Sequence, residues 1–384
     1  MIIRRLQLTL VLLALSGCGT VDTVKGWMGK TAGGTEPAKL VEFTETAKFT
    51  ERWHENFGDA GANPLQAALA SDAVYGASGK GRLTRLDRAT GRSVWSIDSN
   101  ITVSAGVGAG EGLVLIGSDK GEVLAFGENG KLRWKQTVSS EVLGVPQVSD
   151  GVVVVRSGDG HIAGLSIADG HRLWVYERST PALVVRSHAG VTVRRGVAYA
   201  GFAGGKLVAI KLTDGSLLWE NTVSQPRGNT ELERISDITS NPVVSDAQVC
   251  AIAFQGRLAC YEAGQGSPLW NREIGSDKGL FILRKQLFVS DARGAVMALD
   301  KDSGSTVWKN EQLLLRDTSA PYAQDNFVVV GDYQGFLHGL SREDGRFAVR
   351  IKLDGSAIQA APVEMDDGML VQTRSGGIYS LSVK

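Results

Sequence analysis

The stretch Gly205-Lys-Leu-Val-Ala-Ile-Lys-Leu-Thr-Asp-Gly-Ser-Leu-Leu-Trp219 reads as a strand, a tight turn and a second strand. Leu207 and Ala209 share one face of the first strand, and Val208 and Ile210 share the other, so both faces are apolar and the strand is expected to be buried on both sides. Thr213-Asp214-Gly215 supplies the turn: Asp bonds its own backbone, and Gly takes a positive φ without a Cβ clash. The same pattern recurs at Gly81–Trp95, Gly160–Trp174, Gly256–Trp270 and Gly294–Trp308, and with one residue fewer at Gly121–Trp134. Gly335–Val349 repeats it with Val in place of Trp, and Gly377-Ile-Tyr-Ser-Leu is half of an eighth copy. The opening glycines are spaced by 40, 39, 45, 51, 38, 41 and 42 residues, a period that marks a repeat architecture.

Upstream of each opening Gly lies another strand, such as Val152–Arg156 or Val197–Gly201, preceded by a Pro- or Ser-marked one such as Pro242–Ser245. Four short strands in about 40 residues make one propeller blade. The expected fold is all-β, an eight-bladed propeller of four-stranded antiparallel blades over residues 48–384. The eighth copy lacks a fourth strand, and a Trp in a strand-like setting lies far upstream, at Glu51-Arg52-Trp53-His54-Glu55. That segment is expected to complete the last blade and close the ring, which leaves no propagating edge.

Met1-Ile-Ile-Arg4-Arg5 is a basic head, and Leu6–Leu15 is an apolar run too short to span a bilayer. Leu15-Ser16-Gly17-Cys18 is similar to a bacterial lipobox. Residues 1–17 are then a signal peptide and Cys18 the lipid attachment site; Gly19 after it implies delivery to the outer membrane. Residues 18–47 are expected to be a lipidated Cys and a flexible tether. The chain carries 41 basic and 41 acidic residues, a balance unsuited to phosphate-backbone binding, so no nucleic-acid partner is expected.

Chemistry-bearing motifs are scarce. None of the five His is paired at metal-ligand spacing with another His or a Cys, and there is no Gly-x-Ser-x-Gly elbow. Asp87, Asp169, Asp214 and Asp344 sit in the repeated turns, where Asx-turn duty accounts for them. No catalytic, metal or cofactor site is therefore expected. Cys250 and Cys260 fall on adjacent strands of the fifth blade, directly or diagonally opposite; a one-residue change of register decides between a disulfide and two buried thiols.

The 45- and 51-residue steps insert residues around Glu177–Val191 and Ser224–Ser240, in neighbouring blades. Loops that outgrow a repeat usually lie on one face, often the binding face. With the lipobox, the eight Gly…Trp units and Glu233-Arg234-Ile-Ser-Asp237 followed by Asn241-Pro242-Val-Val, the sequence resembles the BamB family, the lipoprotein subunits of the outer-membrane β-barrel assembly machinery. The resemblance implies a non-enzymatic scaffold, lipid-anchored at the periplasmic face of the outer membrane. It would bind periplasmic domains of the barrel-forming subunit and assist insertion of β-barrel proteins, with nascent outer-membrane proteins as a further partner. It places the partner-binding positions at Leu183, Val185 and Arg186 in the first loop and at Arg234, Asp237 and Thr239 in the second. Thr239 stands where the family has a second acidic residue, and Val185 is smaller than the family's residue. Leu183 and Val185 are expected to point the same way along an extended segment, with Arg186 and Asp237 paired to each other or to a partner's charges.

Two other functions suit a propeller. A quinone-dependent dehydrogenase would need a metal-held cofactor over the central funnel; that family's adjacent-Cys pair is missing from the sequence. A glycan-binding module would place aromatics on loops, whereas most Trp here fall in strands.

Overall fold

A computed structural model describes residues 36–366 and 368–384. Cys18 and the expected signal peptide lie outside the described residues. Among these, thirty-two strands form eight four-stranded antiparallel sheets, with no helix. Blade 3 is typical: Gln147–Ser149, Val152–Arg156, Ile162–Ser166 and Arg172–Tyr176 pair in sequence order. First strands of neighbouring blades touch one another, so the first strand of each blade faces the central channel and the fourth is outermost. The eight-bladed ring is as the repeat implies.

The two apolar faces of each third strand serve two different interfaces. On Lys206–Lys211, Val208 and Ile210 pack with Val152, Val154 and Ile162 of blade 3. Leu207 and Ala209 pack with Val249, Ala251 and Ala259 of blade 5. The core is thus a series of inter-blade layers rather than one central mass.

In every blade but the seventh, the Trp of the fourth strand ties its blade to the next. Trp174 is buried, and its indole Nε1 donates to the Leu212 carbonyl of blade 4 at 2.8 Å. A Cβ on Gly215 would fall 2.7 Å from the Trp174 ring, and Gly215 has φ 72°, so this turn position requires Gly twice over. The same donation joins Trp95 to Glu128, Trp134 to Ile167, Trp219 to Ala263, Trp270 to Lys301 and Trp308 to Arg342.

Ring closure comes from Phe49–Asn56, which pairs with Gly377–Val383 in the order β-strand ladders require, from Phe49 opposite Val383 to Asn56 opposite Gly377. Trp53 then donates to the Arg88 carbonyl of blade 1 at 3.1 Å. This arrangement accounts for Val349. In blade 8 the third and fourth strands come from distant parts of the chain, so no turn joins them, and a Trp at 349 would have no turn to grip. Val349 packs instead with Phe49 and Leu381.

The chain before that strand departs from the expected tether. Residues 38–46 lie along blades 6 and 7 as a strap: Ala38 N–H donates to the Leu314 carbonyl at 2.9 Å and Thr46 N–H to the Ala348 carbonyl at 2.9 Å. Phe43 stacks on Phe347 with centroids 5.3 Å apart. Arg316 Nη1 donates to the Ala38 carbonyl and Arg350 Nη1 to the Val41 carbonyl, each at 3.0 Å. Both arginines belong to a buried cluster. Arg316 forks onto Asp332 Oδ2 at 2.8 and 2.6 Å, and Arg350 Nε donates to His338 Nδ1 at 3.0 Å. That leaves His338 Nε2–H to donate to Asp332 at 3.0 Å. The segment has no repeat pattern, but Val41 and Phe43 supply the apolar grip and its backbone carbonyls the polar one.

In blade 5, Cys250 and Cys260 stand directly opposite each other on Gln248–Ile252 and Leu258–Glu262 and form a disulfide, fully buried.

Candidate functional site

In an antiparallel meander the end of a fourth strand, the start of the next first strand and the turn between second and third strands all fall on one face. Both long connections, residues 177–191 between blades 3 and 4 and 223–242 between blades 4 and 5, therefore share a face with the turns after Arg156 and Phe202.

Asp237 knits this face together. It is 4 % exposed, and its Oδ2 accepts the Val185 N–H of the first loop at 2.7 Å. Its Oδ1 accepts the Gly204 N–H of the blade 4 turn at 2.9 Å, and its own carbonyl accepts the Phe254 N–H at 2.7 Å. Ile238 beside it is buried against Gly201, where a Cβ would lie 2.1 Å from Ile238 Cγ2. Further along, Asn241 Oδ1 accepts the Gly190 N–H at 2.6 Å. The base of the second loop is a fixed wedge under the first.

The surface residues differ from the alternation expected of a strand. Residues 182–183 form a bend, so Leu183 and Val184 are the exposed apolar pair, at 43 % and 40 %, while Val185 is half-buried with its amide held by Asp237. Arg186 stays exposed and does not pair with Asp237. It forks onto Glu141 of the connection between blades 2 and 3, Nε to Oε1 at 3.1 Å and Nη2 to Oε2 at 2.8 Å. Thr239 is buried and lines the central cavity rather than the loop surface. Arg234 is exposed at the tip of the second loop, where its Nε donates to the Gly228 carbonyl at 3.1 Å and its Nη1 to Glu231 at 3.3 Å. Leu232 beside it is 67 % exposed.

The structure thus groups Leu183, Val184 and Arg186 on one surface, with Val185 and Asp237 beneath them. Val184, Glu141 and Leu232 had no place in the sequence reading. A cleft of about 210 Å³ opens at the seam, with Leu143, Arg156, Val184, Val185, Phe202 and Asp237 in its walls. The central channel holds about 500 Å³ at the same face, walled by residues from Gln66 of blade 1 round to Gln359 of blade 8. Among the described residues, no three His, Cys, Asp or Glu side chains converge as metal ligands.

Comparison with known proteins supplies the rest. The sequence profile of the family described as "Outer membrane protein assembly factor BamB" matches residues 50–310. This chain belongs to the BamB family. The BamB of Nitrosomonas eutropha is 39 % identical, with 97 % of this chain and 93 % of that one aligned. The BamB of Escherichia coli K12 is 32 % identical, with 96 % of each chain aligned. Both are named outer membrane protein assembly factors, so the two long loops of this propeller sit in a family of assembly factors. The crystal structure of BamB from Moraxella catarrhalis superposes with a TM-score of 0.81 at 24 % identity, over 87 % of this chain and all of that one. A quinohemoprotein alcohol dehydrogenase from Comamonas testosteroni shares the propeller at a TM-score of 0.71 and 13 % identity, over 87 % of this chain and 76 % of that one; both likenesses speak to the fold alone.

Proposed function

We propose that this BamB-family chain is a non-catalytic scaffold of the outer-membrane protein assembly machinery. It docks periplasmic domains of the barrel-forming subunit and so assists insertion of β-barrel proteins. Cys18 carries the lipid anchor, which holds the propeller at the periplasmic face of the outer membrane; nascent outer-membrane proteins are a further partner. The observation that carries the reading is the first loop: two exposed apolar side chains, Leu183 and Val184, stand beside the forked Arg186 on a base fixed by Asp237. Apolar anchors next to an Arg have the composition of an interface hot spot, and a rigid base lowers the ordering cost of docking.

The roles divide accordingly. Leu183, Val184 and Arg186 make contact; Val185 and Asp237 hold the loop's shape; Arg234 and Leu232 extend the surface from the second loop. The test is the affinity of the periplasmic region of the barrel-forming subunit for Leu183→Ala/Arg186→Ala. Binding should weaken by at least about 2 kcal/mol, the hot-spot threshold, with little change in melting temperature. Arg346→Ala, exposed on the turn face opposite, should bind like wild type. Wild-type affinity in the folded double variant would refute the site. For the anchor, Cys18→Ala should release the protein from membranes washed in high salt.

A further inference from the structure

Arg156 ends the strand Val152–Arg156, following four buried valines, and sits opposite Ile162. Its side chain leaves blade 3 and reaches toward blade 4, where the guanidinium carbon lies 5.1 Å from the centroid of the Phe202 ring. Its Nη1 is closed off from solvent and has no hydrogen-bond partner among the described residues. The neighbouring carboxylates are committed elsewhere. Glu141 takes the fork of Arg186, and Asp237 takes the amides of Val185 and Gly204. Burial pulls the Arg156 guanidinium down to about 10, and the field of Asp237 acts in the opposite direction. A desolvated donor left without a partner is costly, and more so when charged. The cleft of about 210 Å³ lies in front of this group and runs out to the exposed Val184.

We propose that Arg156 is the receptor for a single acidic side chain, an Asp or a Glu, on the protein that docks over the first loop. The inference rests on the docking reading above and names the group on the partner that it must find. A carboxylate entering the cleft would give the guanidinium the planar, charge-assisted hydrogen bonds it lacks. Phe202 holds the guanidinium from one side, so its orientation is set before the partner arrives. The apolar rim at Leu183 and Val184 would exclude water from the ion pair, which strengthens it. The cleft therefore adds an electrostatic specificity element to an otherwise apolar contact.

The test uses the full chain and the periplasmic region of the barrel-forming subunit. In Arg156→Met the side chain keeps its stem on Phe202 and loses the unpaired charge. Its affinity should fall at least tenfold, while its melting temperature stays level or rises. Arg156→Gln provides a second, polar variant with the same expected loss. Each Asp and Glu of the partner region is then neutralised in turn to Asn or Gln. One of these should lose as much affinity as Arg156→Met and cause no further loss when combined with it, the mark of a coupled pair. Wild-type affinity in folded Arg156→Met and Arg156→Gln would overturn the assignment. So would losses that simply add for every partner carboxylate, since Arg156 would then act through the shape of the cleft. If Leu183→Ala/Arg186→Ala also binds like wild type, the docking reading itself fails; if only the Arg156 variants do, it stands without this pocket.

Discussion

Asp237 in the second long loop accepts the backbone amide of Val185 in the first, at 2.7 Å, across the seam between two blades. A residue that the family resemblance led one to expect on the surface is 4 % exposed and braces the first loop from below. Replacing it by Ala leaves the amides of Val185 and Gly204 without their acceptor, at a cost of about 1–3 kcal/mol in stability, with more for the lost charge. Asp237→Ala is expected to lower both the melting temperature and the partner affinity. Leu183→Ala/Arg186→Ala should lower the affinity alone. Calorimetric melting beside binding titration separates the two patterns, and an Asp237→Ala protein that melts like wild type would contradict the brace.

The Trp ladder makes a second prediction. Trp174→Ala removes a buried ring and its bond to the Leu212 carbonyl, and should cost about 3–5 kcal/mol in chemical denaturation. Gly215→Ala should also destabilise, because its methyl would fall 2.7 Å from the same ring and φ of 72° disfavours a side chain. A loss below about 1 kcal/mol for Trp174→Ala would show that the ring contributes little to blade cohesion.

Truncation tests the strap and the closure separately. A chain beginning at Pro37 should melt like the full chain. One beginning at Lys48 loses the Phe43–Phe347 stack and the carbonyls held by Arg316 and Arg350. It should lose about 2–3 kcal/mol, the worth of one or two buried apolar side chains. One beginning after Trp53 also removes most of the closing strand and should not form the ring. Equal melting of the last two would show that the closure contributes nothing.

Under the strap, acidification should act through His338. Burial lowers its pKa below the ordinary value, against the pull of Asp332 and with that of Arg350 and Arg316. A group with a depressed folded pKa contributes stability that is present above its unfolded value, about 6.5. That stability is lost as the pH falls below it. Asp332, also depressed despite its burial, follows the same sign in the carboxylate range. The melting temperature should therefore fall between pH 7 and 5, and fall less steeply in His338→Gln. Some slope should remain, since burial depresses His188 as well. Identical slopes in the two proteins would exclude His338 as the sensor.

The disulfide can be removed cleanly. Cys250→Ala/Cys260→Ala is expected to lose about 2–3 kcal/mol, the chain-entropy value for so short a loop. Because both sulfurs are fully buried, thiol labelling after a reductant should appear in denaturant and not in the folded protein.

What the sequence disclosed follows from where periodicity operates. Gly and Trp recur because every blade solves the same packing problem, so blade count, strand order and the closing role of Trp53 could be read directly. Val349 could be read as an exception but not explained until blade 8 was seen to lack the turn a Trp would grip. The period-two rule assigns faces only within strands; residues 182–183 bend, and so Val184 rather than Val185 faces outward. Asp237 looked like a surface charge because nothing in its neighbours tells of the two amides it meets from elsewhere in the chain. Arg156 was legible only as the end of a valine run. Its lack of a partner is a property of the space between blades 3 and 4. The strap carries its information in backbone carbonyls, which leave no trace in side-chain pattern.

The pairing of Trp53 with Ser380 has a consequence for how this protein is made. Seven blades are local meanders, each able to pair its own strands as soon as its own 40 or so residues are available. The eighth joins strands separated by roughly 330 residues, a long-range closure that is entropically costly and slow. Until Gly377–Val383 is delivered, Phe49–Asn56 is a lone strand with an unsatisfied edge, and Trp53 has not reached its place against blade 1. The newly made chain must pass through an open arc with two sticky ends, and it is in that interval, rather than as a finished ring, that it most needs protection from pairing with the wrong strand.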